Sequence, residues 1–105
     1  MRSRHFVVIT MLALVLALSA WPADAAKVCK DAPVMAKARS AAQVSDESRE
    51  KRARDNAIDN WSNRARDTYG YVYKFWWRAE DKKVECGGGA SAKHCTVTAR
   101  PCRVY

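Results

Sequence analysis

Beyond residue 25 the chain has a single histidine, His94, because the other, His5, lies in the first 25 residues. Little is left for acid–base or nucleophilic catalysis, since a nucleophile needs an adjacent base and a third group to orient it. The serines lie in no elbow context, and His94 beside Cys95 reads as a strand-edge residue. Glu80, Asp81 and Glu85 are close together but lie among Arg78, Lys82 and Lys83, which disfavours a working carboxylate pair. No Cys-x-x-Cys or His-x3-His spacing occurs, so Cys86, His94, Cys95 and Cys102 do not match a zinc knuckle. Gly87-Gly88-Gly89 lacks the Gly-x4-Gly-Lys-Ser/Thr frame of a phosphate loop, and no helix follows it. The expectation is a protein without catalytic residues, cofactor or metal.

Long apolar runs are equally scarce. The one stretch, 6–20, is shorter than the roughly 20 residues needed to cross a bilayer. It follows Arg2, Arg4 and His5, and Pro22 and Ala23-Asp24-Ala25 come after it. A basic start, an apolar middle and small residues at −3 and −1 form a secretory signal over 1–25, cleaved to leave Ala26 first. Ser3 separates Arg2 from Arg4, which excludes a twin-arginine signal. Export to a periplasm or beyond is the expected address, with no transmembrane span in the mature form.

About 80 of the 105 residues remain after cleavage. A domain that small has a marginal core and usually needs staples. All four cysteines lie in the mature part, and an even count in a small exported chain reads as two disulfides. Of three connectivities, Cys86–Cys95 across a hairpin with Cys29–Cys102 is favoured. Removing Arg2, Arg4 and Asp24 leaves 17 basic and 10 acidic residues, a net charge of +7. That excess favours acidic partners.

Residues 26–44 are rich in Ala and Lys and hold no large aromatic. Met35, Ala38 and Ala42 recur at helical spacing, so the segment reads as a loosely ordered, partly helical N-terminal arm. Ser45 is a good N-cap, and Asp46 and Glu47 suit the positive end of a helix. Glu47–Lys51 and Glu50–Arg54 are acid-to-base pairs at i,i+4. Ala57, Ile58, Trp61, Ala65 and then Thr68 or Tyr69 make the apolar stripe of an amphipathic helix.

After Gly70 two readings compete. Val72, Phe75 or Trp76, and Ala79 keep the helical phase and predict a second short helix, whereas Tyr71, Tyr73, Phe75 and Trp77 alternate as in a strand. Residues 82–86 and 96–98 read as the arms of a hairpin joined by the glycines and ending before Pro101. The pattern Ala57-Ile58-x-x-Trp61, Tyr69-Gly70, Trp76-x-x-Ala79, Val84-x-Cys86, Cys95 and Pro101-Cys102 resembles small exported bacterial cysteine-containing proteins of unknown function. It covers roughly the last 50 residues. The resemblance implies a helix through Trp76 followed by a β-hairpin, and brings no activity.

The expected fold is α+β: an amphipathic helix, with a second short helix, packed on a C-terminal two-stranded β-hairpin and held by disulfides, all within 45–105. Adjacent Trp76 and Trp77 cannot both face one core, so one of them should be exposed. Lys74, Trp77 and Arg78, with Arg64 and Arg66 of a cationic helix face that includes Lys51, Arg52 and Arg54, are the candidate binding residues. An exposed indole can stack on a ring while the cations hold an anionic group. The expected function is a non-enzymatic basic module for an anionic envelope component, glycan or protein. Nucleic acid is disfavoured by export. The rival is a secreted inhibitor or effector whose reactive loop would be 87–93.

Overall fold

The computed structural model describes residues 27–104, so the signal at 1–25 lies outside the described residues. The elements in order are β1 (Val28–Cys29), β2 (Val34–Ser40), α1 (Asp46–Tyr69), 3-10 turns at Tyr71–Tyr73 and Trp76–Arg78, β3 (Glu80–Gly88), β4 (Lys93–Arg100) and β5 (Cys102–Arg103). β4 is the centre of an antiparallel sheet of order β2-β4-β3, and β1 pairs separately with β5. The fold is α+β, one helix laid on one face of a disulfide-bonded sheet.

α1 starts where its capping chemistry dictates. The Ser45 hydroxyl accepts from the Ser48 amide at 3.3 Å, and Asp46 and Glu47 occupy the first turn. Ala53, Ala57, Trp61 and Ala65, spaced four apart, form its buried ridge. Opposite them lie Val34 and Ala36 from β2 and Cys95, Val97 and Ala99 from β4. Alanine on both sides lets the helix approach the sheet closely. Trp61 fills the one large space, fully buried, with its Nε1 donating to the carbonyls of Val34 (3.0 Å) and Ala99 (3.3 Å). Those two residues face each other across the β2–β4 ladder.

Three expectations change. The 26–44 arm is not partly helical: Val34–Ser40 pairs with β4 along all seven of its residues, so the sheet has three strands rather than two. Period two governs it, with Val34, Ala36 and Ser40 buried and Met35, Lys37 and Arg39 exposed. The pairs Glu47–Lys51 and Glu50–Arg54 give way to Lys51–Asp55 at 3.0 Å and to Asp46–Arg49. Arg49 also pulls the Asp46 carboxyl below its usual range through that hydrogen bond.

The third change comes at Gly70. With φ 109° and ψ 166° it occupies a region essentially closed to residues with a Cβ, and α1 stops there. Residues 71–78 are neither a second α-helix nor a strand but two 3-10 turns, and Val72, which continues the helical phase in the sequence, is exposed. A Cβ at Gly70 meets nothing within 4 Å, so a substitution there costs backbone strain alone. Gly70→Ala is expected to lower the unfolding free energy by about 1–3 kcal/mol in a urea titration. Gly89→Ala, with open space and no positive φ, serves as the neutral control.

Both expected disulfides form, Cys29–Cys102 and Cys86–Cys95, and each joins residues that face each other in the strand register. Among the described residues no cysteine is free. No helix of the described residues is long and apolar enough to cross a membrane.

Candidate functional site

The turn released by Gly70 sorts the aromatic residues by direction. Tyr73 points inward, where its hydroxyl accepts from Arg103 Nε at 2.9 Å and its ring lies 5.8 Å from that of Tyr69. Lys30 Nζ sits 5.1 Å from each of these two rings and ties the N-terminal segment to them. Trp76 is half-buried and meets the core edge-on, 5.1 Å from Trp61. Successive residues in a tight helical turn cannot share a face, so Trp77 is directed outward, 69% exposed.

Around Trp77 the outward rings form a cluster of their own. Phe75 lies 4.7 Å from Trp77 at a tilt of 45°, and Tyr71 meets Phe75 edge-on at 5.6 Å. Lys74 Nζ is 4.4 Å above Tyr71 and 5.5 Å from Phe75, and the Arg78 guanidinium is 4.6 Å from Phe75. These are cation–π distances, and the rings set where the charges sit. Among the described residues neither Lys74 nor Arg78 has a carboxylate partner, unlike Lys27, Lys51, Lys83 and Arg100.

Part of the cluster borders an open groove of about 600 Å³. Lys74, Phe75, Trp76 and Trp77 line one side, and Ile58, Asp59, Ser62 and Asn63 of α1 line the other. An apolar ring platform thus faces a short row of hydroxyl, amide and carboxylate groups, with Lys74 in the lining and Arg78 reaching it only through its contact with Phe75. Such a site can seat a ring by one face and hydrogen-bond its substituents.

The structure therefore brings together Lys74, Trp77 and Arg78 and leaves the two helix arginines out. Arg64 lines a neighbouring polar groove with Asn60, Asp67, Lys37 and the shared Asn63, and its Nη1 donates to the Met35 carbonyl at 2.8 Å. Arg66 lies beside Asp67 at 3.4 Å. Lys51 is engaged by Asp55. Arg52 and Arg54 are exposed on α1. The candidate binding residues named from the sequence did not include Tyr71 and Phe75, whose rings carry the cations, or Asp59, Ser62 and Asn63. Their i,i+3 and i,i+4 spacing beside Ile58 was the available signal.

Two other features take their place in the fold. The carboxylate of Glu80 lies within 4.8 Å of the Cys29 and Cys102 sulfurs, but these are bonded to each other and Glu80 pairs with Lys27 at 3.2 Å. Within the 87–93 connection, Gly87 and Gly88 belong to β3 and Lys93 to β4, so residues 89–92 form the turn between the strands. Gly88 has φ 125°, and a Cβ there would meet the Ala92 carbonyl oxygen at 2.4 Å. No family model, no curated protein and no solved structure matches the chain.

Proposed function

We propose that the protein is a non-enzymatic exported module that binds an anionic glycan of the cell envelope in the groove between 58–63 and 74–77. The observation that carries this reading is the exposed Trp77 flanked by two cations that rings, not carboxylates, hold in place. A sugar ring presents a C–H face that packs on an indole. A carboxylate or phosphate substituent then meets Lys74 or Arg78, while Asp59, Ser62 and Asn63 serve the hydroxyls. The mature net charge concentrates acidic polymers near the surface and makes capture sensitive to salt. The signal-like 1–25 and the two disulfides support a periplasmic or extracellular setting.

The test is retention of the mature protein on lipopolysaccharide and on peptidoglycan across a salt series. Trp77→Ala is expected to weaken retention about tenfold, the scale of one lost stacking partner. Lys74→Ala with Arg78→Ala should flatten the salt dependence. Arg66→Ala, which removes one charge outside the groove, should leave retention unchanged. Equal losses for Arg66→Ala and Trp77→Ala would reduce the effect to bulk charge and refute the groove.

A further inference from the structure

The two outer strands of the sheet are treated differently. On β2, the outward carbonyls of Met35 and Lys37 accept from Arg64 Nη1 at 2.8 Å and Asn60 Nδ2 at 2.9 Å, so α1 closes that edge with its own side chains. On β3, no side-chain hydrogen bond among the described residues reaches the backbone of 82–86. An edge left open in this way is a template for another strand.

Register shows which groups it offers. Antiparallel partners alternate between hydrogen-bonded pairs about 5.5 Å apart and non-bonded pairs about 4.5 Å apart at Cα. Cys86 and Cys95 are 4.1 Å apart, a non-bonded pair, so Val84 opposite Val97 is non-bonded as well. The β2 side gives the same parity: outward Met35 and Lys37 turn Ala36 toward Val97, leaving Thr96 and Thr98 to bond Glu85 and Lys83. The amide and carbonyl of Val84 therefore point away from the sheet. Its side chain, at the middle of the open edge, is 42% exposed.

We infer that this edge pairs with β3 of a second copy, antiparallel, about a two-fold axis through Val84. In that register Val84 meets its own counterpart, and Lys83 of each copy faces Glu85 of the other. Lys82 falls opposite Cys86, Asp81 opposite Gly87 and Glu80 opposite Gly88, so no like charges are juxtaposed. Moving the axis to Lys83 would set Asp81 against Glu85. An axis through Cys86 also avoids like charges but sets Glu85 against Gly87 and forms no opposite-charge pair, so charge favours the Val84 register. Within one chain Lys83 and Glu85 pair with each other at 2.8 Å, which keeps both ionised and on the same face, ready to exchange partners. The bulge between Glu80 and Lys83, with Asp81 at φ 54°, ends the straight edge and limits the pairing to the segment around Val84. The result is one sheet of order β2-β4-β3-β3-β4-β2 with both helices on the same face. Two Trp77 grooves would then look the same way, which favours a repeating polymer through avidity.

Sedimentation equilibrium tests the pairing independently of any ligand. The wild-type mature protein is expected to dimerise with concentration. Lys83→Glu and Glu85→Lys each place like charges opposite one another twice, and each should weaken dimerisation about tenfold. A one-to-one mixture of the two variants restores opposite charges at both positions and should recover the wild-type affinity. Both positions are exposed, and far-UV circular dichroism checks that each variant is folded. A wild-type protein that stays monomeric to millimolar concentration overturns the inference. So do single variants that dimerise as the wild type does, or a mixture no tighter than its components.

Discussion

Trp61→Ala is expected to remove about 3–5 kcal/mol of stability, the cost of deleting a large buried aromatic side chain. A domain of this size holds about 4–12 kcal/mol in total, so the variant would lose at least about a quarter of it and, at the low end of that range, stand near its unfolding midpoint. The cost is high because Trp61 is the only large side chain on a ridge otherwise made of Ala53, Ala57 and Ala65. These alanines cannot collapse into the space it leaves. The same change removes the edge-on partner of Trp76 and the N–H shared by the Val34 and Ala99 carbonyls.

A second variant separates packing from hydrogen bonding. Trp61→Phe keeps most of the ring and loses the donor, and is expected to cost about 1–2 kcal/mol. Urea unfolding followed by far-UV circular dichroism measures both without depending on indole fluorescence. An alanine variant within 1 kcal/mol of wild type would mean that the helix does not rest on this residue. Trp77→Ala supplies the contrast: an exposed side chain away from the core is expected to change stability by no more than about 0.5 kcal/mol. If so, its effect on binding is separable from folding.

The parts legible in the sequence are those set by local chemistry. Ser45 with Asp46 and Glu47 marks the helix start because a cap needs only its own turn. The disulfide pairing was readable because two cysteines flank a glycine-rich turn. Trp76 and Trp77 had to diverge by simple geometry. β2 was hidden because its inward residues are mostly small: Val34, Ala36, Ala38 and Ser40 give a weak period-two signal, and Met35, Ala38 and Ala42 imitate a helical one. Only contact with an alanine-faced helix makes those residues a core.

Gly70 shows the opposite failure. The apolar stripe continues in phase beyond it, so periodicity favoured more helix, while a single backbone conformation ended it. The site inherited that error. Arg64 and Arg66 were grouped with Lys74 and Arg78 by charge and proximity in sequence, but the turn at Gly70 separates them. Arg64 instead closes the β2 edge, a task visible only once the edge exists. Phe75, which sits between Lys74 and Arg78 in the chain, could have been read as the ring that both cations share.

The two disulfides are expected to differ in the stability they provide, and the order tests where they act. Closing a loop restricts the unfolded chain more as the loop lengthens. Cys29–Cys102 spans 73 residues and Cys86–Cys95 spans 9. Loop closure alone predicts a loss of about 4 kcal/mol for Cys29→Ala/Cys102→Ala and about 2.5 kcal/mol for Cys86→Ala/Cys95→Ala. Native contacts push in the same direction. β3 and β4 keep a long ladder without their bridge, whereas β1 and β5 pair over two residues each and cannot hold alone. With β1 go the Lys30 amide bond to Pro101, the Arg100 bond to the Lys30 carbonyl and the Lys30 contact with Tyr69 and Tyr73. The turn bearing Trp77 would lose the inner support of Tyr73. Urea midpoints of the two double-alanine variants, each with its other bridge intact, measure the order. A larger loss at Cys86–Cys95 would overturn it, placing the main contribution in native packing of Cys95 against α1 rather than in the entropy of the unfolded chain. The expected order instead makes the longer bridge the one on which both the fold and the groove depend.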